Sequence, residues 1–380
     1  MRLRSSIVLV VVLLTGALFL AACDSPAEPT EPAAGTAYEP QYATGFGIEY
    51  LADGAKILVD AGGQRILLLP EGVAAPADAT YDVVINGPVE RAVALSTTQA
   101  GHFVQLNSLA SLAGVAREAE KWHIPAVREA MEAGEIANVG KDDEAVVALD
   151  PQIVFFGASP RDAKRAAGLR EAGLTCVQFD DAKEAHYLGR AEWLVFLGAF
   201  LDQEEQAKGH LAAVEERVVA VTDQVQDVTS RPKVLWFYYS SSGVNWNVYT
   251  EADYVSTLVD ASGGTLLTPN PGEGAVNQAT AMKIQDENFL GLLQEADIII
   301  FGRSLVSYPQ AQDLTYFNNS AIDFATAPAY QAEACYVVGS DWFQASADVA
   351  PVIETLAAIM QPDLFPDTPL SKLAAFFPPE

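Results

Sequence analysis

A helical block that contains no strand divides the chain, and it constrains the fold more than any other feature. The block consists of an apolar stretch from Ala185 to Leu201 and a second helical stretch from Gln203 to about Val228. On both sides of it, short apolar runs typical of strands alternate with helix-like segments. This alternation predicts parallel sheets covered by helices on both faces. We therefore expect an α/β protein with two Rossmann-like lobes, each with a central, mostly parallel sheet, joined by a long helical backbone.

The segment from Phe46 to Leu69 has a different pattern, three short strands separated by the turns Ala52-Asp53-Gly54 and Ala61-Gly62-Gly63. Strands this close together predict an antiparallel β meander. The expected organisation is a β meander over residues 46–90, an N-terminal α/β lobe over 91–183, the helical backbone over 184–231 and a C-terminal α/β lobe over 232–380.

The first 45 residues fit neither lobe. A basic head precedes an apolar run from Ile7 to Leu20, which is too short to span a membrane and is typical of a secretory signal. The run ends in Leu20-Ala21-Ala22-Cys23, which resembles the lipobox of bacterial lipoproteins, in which the cysteine is lipidated; the alternative is an ordinary signal peptide with a chance cysteine. We expect a signal peptide over residues 1–22, lipidation at Cys23 and a disordered tether, rich in Pro, Ala, Glu and Thr, over 23–45. The protein would then be extracytoplasmic and lipid-anchored to the cell membrane, in the periplasm or at the cell surface.

The charge balance narrows the choice of partners. The chain has 50 acidic and 22 basic residues, a formal net charge of −28. Nucleic acid is excluded as a partner, because such a surface offers no basic face to phosphates. Attachment to anionic lipid through a basic face is excluded for the same reason.

Candidate binding residues follow from the topology, since ligands of open parallel sheets bind outside the carboxyl ends of the strands. In the N-terminal lobe this position is taken by hydroxyl and histidine side chains, Ser96, Thr97, Thr98 and His102, and Trp122, on the loop ahead of a helix, is a further candidate. In the C-terminal lobe it is taken by Tyr238, Tyr239, Arg303 and Trp342, and Trp246 and Tyr308 are further aromatic candidates. Flat aromatic walls with a guanidinium suit a bulky, partly anionic metal chelate. For each aromatic residue the alternative is ordinary packing in the core.

Signatures of nucleophilic or cofactor chemistry are missing from the sequence, which has no G-x-S-x-G and no C-x-x-C motif. We predict no cofactor. The histidines show no metal-ligand spacing, so we predict no site for a bare metal ion. His123 is a candidate iron ligand, with a hydrogen-bonded or exposed histidine as the alternative.

Several segments, taken in order, resemble one known family. They are Arg91–Thr97 (RAVALST), Val147–Phe155 (VALDPQIVF), Trp193–Ala207 at the entry to the helical backbone, Asp297–Ile300 (DIII) and Pro362–Pro366 (PDLFP). Their order and spacing resemble the extracytoplasmic substrate-binding lipoproteins of ATP-binding-cassette (ABC) importers for iron-siderophores, haem and cobalamin. The resemblance covers roughly residues 90–368, and the meander lies outside it.

This resemblance implies a solute-binding receptor that captures an iron-siderophore, haem, cobalamin or related chelate between its lobes and delivers it to an ABC permease with its ATPase. It also implies docking on the permease through one surface glutamate per lobe, for which the nearest candidates are Glu132 or Glu135 and Glu251. We expect a monomer without enzymatic activity. The alternatives are an extracytoplasmic hydrolase using Asp341 or Asp253, a protein that binds a bare metal ion, and a structural or adhesive lipoprotein.

Overall fold

Three sheets and a helical backbone make up the protein in the computed structural model, which describes residues 35–77, 79–240, 245–272, 274–277, 280–303, 322–339, 341–342, 344 and 346–375. The strands are β1 (Ala37–Tyr38), β2 (Gly47–Tyr50), β3 (Lys56–Val59), β4 (Arg65–Leu69), β5 (Val83–Asn86), β6 (Ala92–Ala94), β7 (Leu112–Val115), β8 (Ala137–Asn138), β9 (Ile153–Phe156), β10 (Cys176–Gln178), β11 (Lys233–Ser240), β12 (Asn245–Tyr249), β13 (Thr265–Leu266), β14 (Gly274–Asn277), β15 (Ala281–Ile284), β16 (Ile298–Phe301), β17 (Cys335–Val338) and β18 (Leu373–Ala375). The helices are α1 (Thr97–Gln105), α2 (Pro125–Glu132), α3 (Asp143–Ala148), α4 (Pro160–Glu171), α5 (Tyr187–Leu201), α6 (Glu204–Val225), α7 (Tyr254–Ala261), α8 (Asp286–Glu295), α9 (Pro328–Gln331) and α10 (Ala350–Met360).

The first sheet is the predicted meander. Its order is β1-β2-β3-β4-β5, with antiparallel pairing from β1 to β4 and a parallel pairing of β4 with β5. One face buries Leu58 and Ile66 in the core of the N-terminal lobe, and the other buries Ile57 and Leu67 in a small separate cluster. The antiparallel N-terminal meander is thus confirmed.

The N-terminal lobe contains a sheet of five parallel strands in the order β10-β9-β6-β7-β8. Every residue of β6 and β9 is buried. Continuous burial of this kind is expected of strands that are covered on both faces. The prediction of a parallel α/β lobe is confirmed.

The sheet of the C-terminal lobe has a parallel centre, in which β11 pairs with β13 and β16, and β16 pairs with β17. Antiparallel strands extend it on both sides: β12, β15 and β14 beyond β11, and β18 beyond β17. The connection from β11 to β12 is too short for a parallel crossover, which needs a dozen residues or more, so β12 returns as an antiparallel neighbour.

Helices α5 and α6 join the two lobes, as predicted. Every residue of α5 except Arg190 is buried, as expected for a helix that is apolar on all sides. Its first turn, with Tyr187 and Leu188, belongs to the core of the C-terminal lobe, whereas Ala191 to Leu201 belong to that of the N-terminal lobe. The helix ends at Asp202, which is left-handed with a φ of 57°. Helix α6 then contributes to both cores in turn.

The structure departs from the sequence prediction at residues 35–45, which composition assigns to a disordered tether. These residues contain β1, and residues 41–45 donate backbone hydrogen bonds to two carboxylates on or just before α5. The composition of a segment carries no information about such distant partners. Cys23 and the signal segment lie outside the described residues. Nowhere in the described part of the chain is a helix both long enough and apolar enough to cross a membrane.

Candidate functional site

The carboxyl end of β6 places two hydroxyl side chains at the boundary between the lobes. The Ser96 backbone N–H donates to the Gln99 Oε1 at 3.0 Å, which fixes the start of α1. Thr98 then donates from Oγ1 to Asp181 Oδ1 at 2.8 Å. Asp181 follows β10, which lies two strands away from β6 in the sheet, and is almost completely buried. This hydrogen bond therefore joins the loop after β6 to the loop after β10 within the N-terminal lobe.

Hydrogen bonds cross directly from the C-terminal lobe to these loops. Ser346 donates from Oγ to the second oxygen of Asp181 at 2.8 Å. The Gln344 amide donates to the carbonyl of Lys121 at 3.0 Å and accepts from the backbone N–H of His123 at 2.8 Å. A methyl group on Gly101 of α1 would stand 2.1 Å from the backbone oxygen of Gln344. The lobes therefore meet closely along this side of the cleft.

At the carboxyl end of β11 in the C-terminal lobe, an arginine lies on a tyrosine ring. Tyr238 on β11 is half-buried, and the guanidinium carbon of Arg303, just after β16, lies 4.3 Å from the centre of its ring. Tyr249 of β12 is 5.7 Å from Tyr238, centre to centre. Burial, followed by the nearby Tyr254 and Asp253, raises the pKa of Tyr249, so this phenol stays neutral. These groups form an aromatic wall that carries a positive charge.

A second arginine, which the sequence analysis missed, repeats this arrangement. Arg190 is the one incompletely buried residue of α5, and its guanidinium carbon lies 3.4 Å from the centre of the Tyr254 ring. The Tyr254 hydroxyl accepts from the indole N–H of Trp342 at 3.1 Å. Among the described residues no carboxylate lies within ion-pair distance of Arg190. Arg190 is one of two charges inside an otherwise apolar helix, and this is the sequence signal that could have identified it, because a charge in such surroundings requires a partner.

Two cavities within the described residues bear on the site, one between the lobes and one between the helical backbone and the C-terminal lobe. The larger, of about 190 Å³, is lined by residues of both lobes, including His123, Asp341, Gln344 and Lys372. The smaller, of about 20 Å³, lies beside Arg190, Tyr254 and Trp342 and has room for about one water molecule. The larger cavity therefore has a polar lining, whereas the smaller is lined by aromatic rings and one arginine.

This arrangement of two lobes around a cleft agrees with a comparison at the level of sequence. The family model described as periplasmic binding protein matches residues 93–324, which is more than half of the chain. The chain belongs to the periplasmic binding protein family. Members of this family are extracytoplasmic substrate-binding proteins that work with ABC transporters, and they are not enzymes.

Relatives and solved structures agree with this family. An uncharacterized lipoprotein of Methanocaldococcus jannaschii is 24% identical over 82% of this chain and 75% of its own length. Among solved structures, the TroA-like periplasmic binding protein FepB from Veillonella parvula has a TM-score of 0.54 at 21% identity, over 74% of this chain and 88% of that one. IsdE from S. aureus, complexed with heme, has a TM-score of 0.55 at 16% identity, over 71% and 98%. At these identities the structures establish the fold alone.

Two of the predicted site residues of this periplasmic binding protein lie in the core of the N-terminal lobe. His102 is completely buried, and its ring nitrogens face the carbonyl oxygens of Thr98, at 2.9 Å, and Arg190, at 3.2 Å. Trp122 is also buried, with its indole N–H directed at the carbonyl of Arg117, 3.4 Å away. The structure corrects the prediction for both, since neither offers a surface to a ligand.

The structure also corrects the predictions for Tyr239 and Trp246, because both side chains lie in the core. Side chains alternate along a strand, so Tyr239 points away from the face that Tyr238 occupies. It packs at 4.5 Å against Trp246, which stacks on Phe289 at 3.9 Å and donates to Asp286 at 2.7 Å. Both residues belong to the core below the sheet.

The remaining candidates differ in position. Ser96 and Thr97 are half-buried at the start of α1, and Trp342 is almost buried beside Tyr254. Tyr308 lies outside the described residues. The candidate docking residues are all exposed, with Glu132 at the end of α2, Glu135 in the turn after it, and Glu251 between β12 and α7.

The two aspartates named for a hydrolase are engaged in other contacts. Asp341 forms an ion pair with Lys372. Asp253 caps α7 through the Val255 N–H at 2.9 Å, and burial raises its pKa.

His123, the candidate iron ligand, is among the residues that line the larger cavity. Burial lowers the pKa of His123, against the influence of Asp341. No cluster of three potential metal ligands occurs within the residues that the structure describes. Cys176 and Cys335 are buried free thiols, one in each lobe.

Proposed function

We propose that this protein is the receptor of an ABC importer and that it captures an anionic metal chelate, of the iron-siderophore or haem type, between its lobes and delivers it to the permease. The observation that carries the proposal is the arginine on a tyrosine face at the carboxyl end of β11, with Arg190 on Tyr254 as a second instance. A guanidinium has five N–H donors that suit carboxylate or phenolate oxygens, while the rings cover apolar parts of a ligand. In Arg190, Nη2 and Nε already donate to the carbonyls of Ala182 and Glu184, at 2.7 and 3.4 Å, so only its remaining donors would serve a ligand.

The volume of the larger cavity is the second argument, and it indicates how the ligand enters. The larger described cavity, of about 190 Å³, is smaller than the roughly 300–1,000 Å³ that small-molecule sites usually provide. We therefore expect the lobes to separate when a chelate binds. The hydrogen bonds of Gln344 and Ser346 are the contacts that such a separation would break.

Titration of the purified protein with a panel of candidate ligands tests the proposal. The panel contains ferric hydroxamate and catecholate siderophores, haem and cobalamin, with the iron-free siderophores, a sugar and a peptide for comparison. We expect saturable quenching of tryptophan fluorescence by at least one chelate, and a reduced signal in Trp342→Phe. No response to any chelate, together with tight binding of the sugar or the peptide, would contradict the proposal.

Anchoring through a lipid on Cys23 is a separate part of the proposal. It is supported by the lipobox-like sequence and agrees with the lipoprotein relatives. Expression of the full chain and of Cys23→Ser, followed by membrane fractionation and mass spectrometry of the N-terminus, tests it. Equal membrane association of the two proteins would argue against a lipid on this cysteine.

Docking on the permease through exposed glutamates is likewise proposed, with one residue in each lobe. We expect Glu132→Lys or Glu135→Lys, combined with Glu251→Lys, to abolish ligand uptake in cells while ligand binding by the purified protein is retained. Glu216→Lys, at an exposed position on α6, is the control for a change of net charge. Normal uptake with all three docking candidates reversed would exclude these residues.

A further inference from the structure

Residues 38–45, called the strap below, are bound to the helical backbone by a buried carboxylate. Glu192 of α5 is completely buried. Its two oxygens accept four hydrogen bonds: from the Tyr38 hydroxyl at 2.7 Å and from the backbone N–H groups of Gln41, Tyr42 and Ala43 at 2.8, 2.8 and 2.7 Å. The strap thus directs three consecutive backbone donors at one side chain.

A second buried carboxylate continues the pattern. Glu184, which precedes α5, accepts from the Thr44 hydroxyl and from the backbone N–H groups of Thr44 and Gly45, each at about 3.0 Å, and from the Trp193 indole at 2.8 Å. Within the described part of the chain, neither carboxylate forms an ion pair with a cation. Release of the strap would therefore leave two buried charges with few or no hydrogen-bond donors, which is strongly unfavourable.

Two glycines allow the strap to lie this close to the helix. A methyl group on Gly189 of α5 would stand 2.9 Å from the backbone oxygen of Tyr42, and one on Gly45 would stand 2.7 Å from the Trp193 ring. Both distances are below ordinary contact. The strap and the helix are therefore fitted to each other sterically as well as through hydrogen bonds.

The strap crosses α5 at the level where that helix passes from one lobe to the other. Residues before Gly189 belong to the core of the C-terminal lobe, and residues from Ala191 onward belong to that of the N-terminal lobe. Within the strap, Tyr42 packs against the C-terminal core and stacks on His186 at 5.4 Å, while Ala43 lies in the N-terminal core. One short segment thus contacts both cores beside the point at which they would move apart.

We propose that the strap is a splint that limits bending of the helical backbone and so restricts how far the lobes separate. The proposal concerns the free protein and does not depend on which ligand binds. It assigns to this segment of the N-terminal region a mechanical role that a flexible tether does not have.

The test weakens the strap in the full chain and measures two quantities. Gly189→Ala pushes against Tyr42, and its matched control is Gly209→Ala on α6, where a methyl group meets open space. Tyr38→Phe removes a single hydroxyl and is the milder second variant if Gly189→Ala fails to fold. Hydrogen–deuterium exchange reports on the amides of residues 41–45. Spin labels at Lys141→Cys and Lys283→Cys, exposed positions in the two lobes, report on lobe separation in a Cys23→Ser background.

We expect exchange of the strap amides to be at least about tenfold faster in the strap variants, the factor that loss of one hydrogen bond to a charged group gives, and unchanged in the control. The distribution of distances between the labels should broaden toward longer values in the same variants. Faster exchange with an unchanged distance distribution would overturn the splint, because the strap would then be released without consequence for the lobes. Unchanged exchange in both variants would overturn the binding mode from which the splint is inferred.

Discussion

The side chain of Gln344 offers the sharpest single test of how the lobes are held together. Its amide makes two of the direct hydrogen bonds between them, to the carbonyl of Lys121 and from the N–H of His123. Each such bond contributes about 1 kcal/mol net, so Gln344→Ala should destabilise the closed arrangement by about 2 kcal/mol. At room temperature this is a factor of about 30 in the ratio of closed to open protein.

Loss of these hydrogen bonds should strengthen the binding of the chelate rather than weaken it. If the chelate enters only when the lobes separate, the closed arrangement competes with the ligand. The apparent affinity is then reduced by the fraction of molecules that are open. We therefore expect Gln344→Ala to bind the chelate more tightly than the wild type, by up to about 30-fold.

Two measurements decide the outcome. In a Cys23→Ser background, energy transfer between dyes on Lys141→Cys and Lys283→Cys measures lobe separation without ligand, since the remaining native thiols, Cys176 and Cys335, are buried. Calorimetry with the chelate found in the panel gives the affinity. Gln224→Ala, on the exposed face of α6, is the control. Weaker binding together with an unchanged lobe distance would refute the reasoning, because Gln344 would then be acting as a ligand contact.

Three further changes have defined outcomes. Arg303→Ala should weaken an anionic ligand by about 1.5–3 kcal/mol, as measured by calorimetry, the usual range for a hydrogen bond to a charged group; unchanged affinity would make Arg303 structural. Gly101→Ala places a methyl group 2.1 Å from the Gln344 backbone oxygen, so energy transfer should show wider separation even when the Gln344 side chain is intact. Burial lowers the pKa of His186, whose Nδ1 accepts from the Leu188 N–H at the start of α5. The folded protein therefore binds fewer protons at this site than the unfolded chain, and stability should fall as the pH drops below about 6.5. His186→Asn, which can cap without titrating, should flatten that dependence in urea denaturation at pH 5 and pH 7.5, and an unchanged slope would exclude His186 as its source.

The architecture was predictable because it depends on periodicity and segment length, which are local properties of a sequence. The apolar run that forms α5 and the alternation on either side of it were enough to predict two lobes and a helical backbone. The antiparallel strands at the edges of the C-terminal sheet were harder to predict. A short connection such as that between β11 and β12 indicates antiparallel pairing only when the ends of both strands are known.

The site was predictable only in part, because it depends on which side of each strand faces the cleft. Tyr238 and Tyr239 are adjacent and chemically alike, yet one lies beside Arg303 and the other packs on Trp246. The rule that ligands bind at strand ends selects both of them, and only the pleat of the sheet separates them. The position of His102 could not be predicted for a similar reason. On its helix, α1, a single turn separates a residue at the cleft from a residue in the core.

Arg190 and Glu192 show that charges in an apolar helix can be more informative than the aromatic residues around it. Each must have a partner, and their partners lie on opposite sides of the helix: Tyr254 near the cleft, and the strap on the other side. The tether is also shorter than its composition suggests, because Gly35 and Ala37 are already bound to the first sheet; residues 24–34 alone would link a lipid on Cys23 to the body, and they reach at most about 40 Å when extended. Because β1 pairs with β2 in the sheet that packs on the N-terminal core, a lipid on Cys23 would be joined first to this sheet and then, through the strap, to the helical backbone.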